Sequence, residues 1–340
     1  MQKISVLPLM IIMLSLLSAC KPDSVLTVAF YNVENLFDTL DDPETVDEEF
    51  LPSAERMWNS ERYTNKLNHL SKVISSLVEG HSPDVLGLCE VENRQVVDDL
   101  IHQASLMSKP YAIVHEESRD VRGIDVAAIY DSVKLHLVSH GTVQVNLVEF
   151  EEITRDILWM ELEDRKTHES FYFIVNHWPS RRGGEAESEP KRMKAAEVLN
   201  QLVRKLQQED SEAAIVICGD FNDEPTNRSI RETLGAEWKS DSTNAQLFNA
   251  MGPLKDEGKG SYCYRGDWNM LDQLIFSSGF QDGKGWDYLP KSATIHGPEW
   301  MRQHSDEYEG YPLRTFGGRT YLNGYSDHFP VYAVLYRPVR

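Results

Sequence analysis

Ala213-Ala-Ile-Val-Ile-Cys218 runs straight into Gly219-Asp220-Phe221-Asn222-Asp223. An apolar, β-branched run ended by glycine reads as a buried strand. Its end delivers a carboxylate, Asp220, and an amide, Asn222, to a sheet edge. Two other apolar runs finish in the same way. Asp84-Val-Leu-Gly-Leu-Cys89 ends at Glu90, and Phe171-Tyr-Phe-Ile-Val175 ends at Asn176-His177. A fourth pair, Asp327-His328, stands just before the run Val331 to Tyr336. Acids, amides and histidines converging at strand ends form an oxygen-rich pocket, suited to a hard cation and a phosphate ester.

The rest of the chain supplies the frame for those ends. Leu26 to Val33 predicts a first strand, with Asn32 and Glu34 at its exit. Asp38 to Glu55 is an acidic loop. Tyr63 to Glu79 carries Leu67, Leu70, Val73, Ile74 and Leu77 at helical spacing, and Val96 to Met107 reads as a second helix. Tyr111 to Val114, Ile124 to Tyr130, Lys134 to Val138, Thr142 to Leu147, Asp156 to Leu162 and Phe171 to Val175 read as a meander of strands, more antiparallel than parallel. Lys191 to Gln208 is the clearest helix, and Asn227 to Leu234 another. Residues 238–270 are weakly patterned. Met270 to Ser277 predicts a strand with Asp272 near its start. Residues 278–325 form a long aromatic, glycine-rich excursion of the kind that is often functional.

The bulk numbers narrow the class. The chain has 340 residues, 41% hydrophobic and 26% charged, with 34 basic against 54 acidic side chains and a net charge of -20. Such a surface does not suit gripping long nucleic acid by counterion release, which needs clustered Lys and Arg. Lys3, the apolar stretch Val6 to Leu17 and Leu17-Ser18-Ala19-Cys20 read as a targeting segment. Leu-Ser-Ala-Cys resembles a bacterial lipobox, with Cys20 as the lipidated residue; an ordinary signal peptide is the alternative. Both take the protein out of the cytoplasm, and the lipidated form ties it to the cell envelope, the outer membrane foremost. The expected organisation is a leader over residues 1–19, a tether over 20–25 and one domain over 26–340. Cys89, Cys218 and Cys263 read as small buried hydrophobes.

Each motif alone is weak, but their joint order is specific. Phe30-Tyr-Asn32, Asp84 to Glu90, Asn176-His177, Gly219-Asp-Phe-Asn222, Leu271-Asp272 and Ser326-Asp-His-Phe-Pro330 span almost the whole chain. In that order they resemble the endonuclease/exonuclease/phosphatase superfamily, the deoxyribonuclease I-like proteins. The resemblance implies an α/β fold: a four-layer sandwich of two mostly antiparallel sheets flanked by helices. It also implies hydrolysis of a phosphate ester, most naturally a phosphodiester, by activated water with Mg²⁺ or Mn²⁺.

On that resemblance the roles follow from residue chemistry. Glu90 and Asn32 form the metal side, with Glu34 and Asp327 as further carboxylates, a set that favours Mg²⁺ or Mn²⁺ over zinc. Asp220 activates or orients water, and Asn222 handles water or a phosphate oxygen. His328, oriented by Asp272, faces the phosphate. His177 stabilises the pentacovalent phosphate or protonates the leaving oxygen. Arg181 and Arg182 suit phosphate by their planar donor forks, or form a plain surface pair. Asp125 contacts the site or makes a strand-end salt link. Asp223 reads as a turn residue. Three activities stay open: a phosphoesterase on a small, lipid or nucleotide ester, an extracytoplasmic nuclease on DNA or RNA, and a non-catalytic binding protein. The only membrane contact expected is the lipid anchor, and no obligate protein partner is implied.

Overall fold

The alternation read from the sequence sets the layers. The computed structural model describes residues 25–238, 246–305 and 307–338. Cys20 and the leader lie outside the described residues. In strand β1 (Val25–Leu36), Leu26, Val28 and Phe30 point into one apolar layer, while Ala29, Tyr31 and Val33 point into another. The two-residue period of a strand makes this unavoidable.

Two seven-stranded sheets result. In the first, β1 lies between β2 (Val85–Val91), which is parallel to it, and the last strand, β10 (Val331–Tyr336), which is antiparallel. Strands β4 (Asp125–Asp131) and β3 (Tyr111–His115) continue it beyond β2. Asp287–Tyr288 and Thr294–Ile295 pair with β10. The second sheet runs β5 (Leu135–Val143), β6 (Ile157–Asp164), β7 (Ser170–His177), β8 (Ile215–Asp220) and β9 (Asp272–Ser277), then Leu247–Asn249 and Ala236–Glu237. Only β7 and β8 are parallel among its long strands.

The sheets pack face to face over Phe30, Val85, Phe171, Phe173, Val175, Val216, Cys218, Leu274 and Phe276. Helices α1 (Ser60–Ser76) and α2 (Arg94–Ile101) cover the outer face of the first sheet, with Leu67, Leu70, Val73, Val96 and Leu100 buried. Helix α3 (Glu185–Glu209) covers the second with Leu199, Leu202, Val203 and Leu206. The fold is therefore a four-layer sandwich, helices–sheet–sheet–helix. Asn59 and Asn93 cap α1 and α2 by accepting from Arg62 N and Val96 N, which satisfies otherwise orphaned amides.

Some expected elements differ. The strand expected over 134–138 continues through a register shift at Leu137/Ser139 to Val143 as the single strand β5, and the strand expected over 142–147 stops there, leaving 144–146 outside any strand. The helix expected over 227–234 is a single π-helical turn, Ser229–Leu234. The second helix begins earlier than expected, at its Asn93 cap, and ends at Ile101. The three cysteines are free and buried, as small hydrophobes.

Gly87 lies where the sheets come closest. A Cβ there would meet Cys218 Sγ at 2.8 Å, with Phe30 and Val175 at 3.2 Å. Gly87→Ala therefore overpacks the inter-sheet layer and lowers stability by about 1–3 kcal/mol. Cys218→Ala in the same chain recovers part of the loss, measured as urea midpoints with unchanged slope.

Candidate active site

The strand ends carry the inner-face rows one step beyond the core. In β7 the inward residues are Phe171, Phe173 and Val175, so the next in the row is His177. In β8 they are Val216 and Cys218, so the next is Asp220. In β9, Leu274 and Phe276 place Asp272 on the same face. In β1 the row ends at Asn32. Register then fixes the neighbours: His177 lies opposite Asp220, and Asp220 opposite Asp272. Gly219 permits this closeness, since a Cβ there would lie 2.4 Å from Asn176 O.

Glu90 reaches the same point by a different route. A register shift between Cys89 and Val91 puts it at φ 61°, a left-handed conformation that is rare for a residue with a side chain. Glu34, Asn35 and Asn222 share that region, at φ 52°, 53° and 49°. Such backbone strain gathers at functional sites.

Asp220 is the meeting point. Its Oδ2 accepts from Asn32 Nδ2 at 3.1 Å, and the same amide donates to Glu90 Oε1 at 3.3 Å. His177 Nε2 stands 3.9 Å from both Glu90 Oε1 and Asp220 Oδ2. His328 Nε2 is 3.9 Å from Asp220 Oδ2, while its Nδ1 is 2.7 Å from Asp272 Oδ2. Asp220 Oδ1 accepts from Asn222 N at 2.9 Å, and Glu90 Oε2 from Asn35 N at 3.0 Å. Asn32, His177, Asp220, Asp272 and His328 are all buried. This convergence, in this chain order, can be weighed against known proteins. The family model described as Endonuclease/Exonuclease/phosphatase family matches residues 27–337.

The chain belongs to that family.

No curated protein matches the chain. Solved structures of similar fold include a mannosyl-6-phosphatase of Bacteroides thetaiotaomicron, at TM-score 0.56 and 17% identity over 91% of this chain and 99% of that one. The catalytic domain of human Nocturnin with bound sulfate is similar at TM-score 0.55 and 17% identity, over 92% and 93%. TDP2 of D. rerio, complexed with a single-strand DNA product, is similar at TM-score 0.57 and 15% identity, over 92% and 99%. At these identities the likeness is one of fold.

In this family member the two histidines are driven apart in protonation. Burial holds His177 well below the usual histidine range, and the charges of Arg155, Arg122 and His328 add to the effect. Burial opposes protonation of His328 too, but the Asp272 and Asp220 carboxylates outweigh it and raise its pKa well above the ordinary value. Asp272 also fixes the ring, so that Nε2 faces Asp220. Burial, with the charges of Asp272 and Glu90, pushes the Asp220 carboxyl up to about 6 against the pull of His328 and Asn222 N–H.

That surplus of negative charge is what a divalent cation would relieve. Glu90 and Asp220 both accept from the Asn32 amide, and such hard oxygen donors fit Mg²⁺ or Mn²⁺. Asn32 donates to both carboxylates, and its Oδ1 accepts from Glu34 N at 3.0 Å. It braces the acid pair. Among the described residues, two groups bring potential ligand atoms within 4.8 Å of one another: Asp220, Asp272 and His328, and His115, Glu117 and Asp125.

Other expected residues stand apart from this point. Glu34 and Asp327 are engaged by a second pair of cations, Arg314 and Lys66. Arg314 Nη2 donates to Asp327 Oδ2 at 2.6 Å and its Nε lies 3.7 Å from Glu34 Oε1. Glu34 Oε2 accepts from Thr315 N at 2.6 Å and lies 3.9 Å from buried Lys66 Nζ. Asp125 bonds His115 Nε2 at 3.0 Å and Ser118 N at 2.9 Å, which is the strand-end link. Arg181 spans Asn222 O at 2.7 Å and Asn269 Oδ1 at 3.1 Å, so it braces the loop; Arg182 is exposed. Asn222 Nδ2 donates to Trp178 O. Asp223 is no plain turn residue: it is fully buried, 2.7 Å from the equally buried Arg192 and bonded by Ser229, so it fastens α3 to the site loop.

Several residues given no role by the sequence also shape the site. Ser261 bonds Asp272, Ser326 Oγ donates to Asn32 O at 2.7 Å, and buried Arg155 ties Asp120 to Trp178 O. The Tyr262 ring lies 4.7 Å from that of His328. Of these only Ser326 carried a sequence signal, through its Ser-Asp-His context. A cavity of about 1210 Å³ opens between Phe248, Tyr288 and Phe329, but no candidate site side chain lines it.

The Glu34–Lys66 pair makes a measurable prediction. Burial raises the Glu34 carboxyl to about 7, helped by Asp327, and lowers the Lys66 amine to about 8. Between its ordinary 4.5 and about 7, Glu34 binds more proton in the folded state, so stability falls as pH rises through that window. In EDTA, Glu34→Gln flattens this slope in urea titrations. Lys66→Met alone destabilises by about 3–5 kcal/mol, and Glu34→Gln/Lys66→Met regains most of it.

Proposed function

We propose that this protein is a divalent-metal-dependent phosphoesterase that hydrolyses phosphate esters, phosphodiesters in the first place, with water activated at Asp220. One observation carries the reading: Asp220 Oδ2 is flanked by an amide bridged to Glu90 and by two imidazoles, each 3.9 Å away. A carboxyl raised to about 6 is poised to accept a proton from water near neutral pH. Protonated His328, steered by Asp272, presents Nε2–H to the phosphoryl oxygens and offsets their charge. Neutral His177 offers a hydrogen bond to a phosphoryl or leaving oxygen without adding charge. Glu90 would hold Mg²⁺ or Mn²⁺, which would neutralise charge on the ester and polarise phosphorus, leaving Asp220 to the water. The water oxygen joins phosphorus as the ester oxygen departs and takes up a proton.

Family membership supports this reading, as do neighbours described as a mannosyl-6-phosphatase and as a protein with a DNA product, since both concern phosphate esters. The place of action we propose is outside the cytoplasm, at the envelope, through lipid on Cys20. Cys20→Ser is expected to move the protein from the membrane pellet to the soluble fraction; an unchanged distribution rejects the anchor.

The deciding experiment is turnover of bis-p-nitrophenyl phosphate, a phosphomonoester, plasmid DNA and RNA, with Mg²⁺ and with EDTA. We expect EDTA to stop turnover. Asp220→Asn and His328→Ala should each cost about 100- to 10,000-fold in kcat, with urea midpoints near wild type. Glu90→Gln should raise the Mg²⁺ concentration needed for half-maximal rate. Nicking of plasmid would assign a nuclease. Absence of turnover on every substrate would sink the enzymatic reading in favour of a binding protein.

A further inference from the structure

A second concavity lies beside the site, separated from His328 by the Tyr262 ring. Its volume is about 960 Å³, at the upper end of ligand-site sizes. Its walls come from the hairpin of Tyr262–Tyr264 and Asp267–Asn269 and from the aromatic excursion near its Gln303, Tyr308 and Arg314 positions. Tyr262 joins it to the chemistry, since its ring lies 4.7 Å from that of His328 at an angle of 33°. Asp327, next to His328, lines it as well. A group carried on a phosphate at His328 therefore has this cavity as its adjoining space.

The lining states what that group is. Among the described residues, the large aromatic rings left exposed are Tyr264, at 54%, and Tyr308, at 44%, and both line this one cavity. Exposed rings gathered in a concavity are a stacking platform. Tyr308 is braced edge-on by Tyr311 at 5.7 Å, and Arg265 sits 5.1 Å over Tyr264. The charged lining is balanced: Arg265 and Arg314 stand against Glu307 and Asp327. Arg314 is already spent on Asp327 at 2.6 Å. Arg265 rests on the Tyr264 ring, and the lining carries no net positive charge to hold a second phosphate, which a nucleotide chain would bring. Planar donors and acceptors beside tyrosine rings match a ring whose faces are C–H and whose rim is hydroxyl.

We infer that this cavity is the subsite for the organic group of the substrate, and that it takes a neutral, hydroxylated ring, a sugar. The inference rests on the phosphoesterase reading and adds the substrate class to it. Tyr264 and Tyr308 are specificity residues in this scheme, not catalytic ones.

The test compares a hexose 6-phosphate with ethyl phosphate, whose leaving alcohol is similar but has no ring, and with a nucleoside monophosphate, each as the monoester and as its methyl phosphodiester. Bis-p-nitrophenyl phosphate serves as the check of hydrolytic competence. The full-length protein with Mg²⁺ is expected to favour the hexose ester over ethyl phosphate and over the nucleotide in kcat/KM. Tyr264→Ala and Tyr308→Ala should each raise KM for the hexose ester about tenfold with kcat nearly unchanged, and so lower its kcat/KM ratio to ethyl phosphate by about that factor. A hexose ester no better than ethyl phosphate, a preference for the nucleotide, or an unchanged ratio in both variants would overturn the assignment. Failure on bis-p-nitrophenyl phosphate as well would reject the phosphoesterase reading itself; turnover of it without hexose preference rejects the sugar subsite alone.

Discussion

The hydrogen bond from Asn32 Nδ2 to Asp220 Oδ2 joins the two sheets at the rim of their shared core. Everything around it is arranged to make a buried carboxylate tolerable there. Burying an unpaired charge is prohibitive, so each oxygen of Asp220 has its own donor. The same amide holds Glu90, and Ser326 bonds the Asn32 carbonyl, so first and last segments lock onto one residue. The apolar rows beneath fix the strand ends to within a fraction of a residue, because a one-step slip would turn Asp220, His177 and Asp272 to the outer face together.

Two charge systems lie side by side. Around Asp220 the acids outnumber the bases, which leaves the site anionic and receptive to a cation. Around Glu34 and Asp327 the protein supplies its own cations, Lys66 and Arg314. The first leaves its acids in excess, whereas the second pairs each acid with a basic side chain. Thr315 and Arg314 belong to the long excursion, so the second network ties that excursion to β1 and holds one wall of the tyrosine-lined cavity in place.

How much of this could be read from the sequence depends on the range of the signal. Strand parity is local, so Asn32, His177, Asp220 and Asp272 were legible from the apolar rows that precede or follow them, and the joint motif order pointed to the fold. Glu90 was legible as a strand end, but its inward turn depends on a register shift at φ 61° that no local pattern announces. Asp223 was misread because its partner, Arg192, lies on a distant helix and the pairing is purely tertiary. Lys134 to Leu147 split into two expected strands because exposed polar residues on an edge strand look like a turn. Ser261 and Tyr262 fall in a segment without periodicity, where only contact with Asp272 and His328 gives them meaning.

The placement of β1 has a consequence in time. It is the first described strand, yet it sits inside its sheet against β10, the last, with Val25 opposite Tyr336 and Phe30 opposite Val331. A chain emerging from the ribosome thus carries an open sheet flank until its final segment appears. Such high contact order makes closure slow and late. His328 stands three residues before that closing strand. A prematurely ended chain therefore lacks both the zipping strand and the imidazole that faces Asp220.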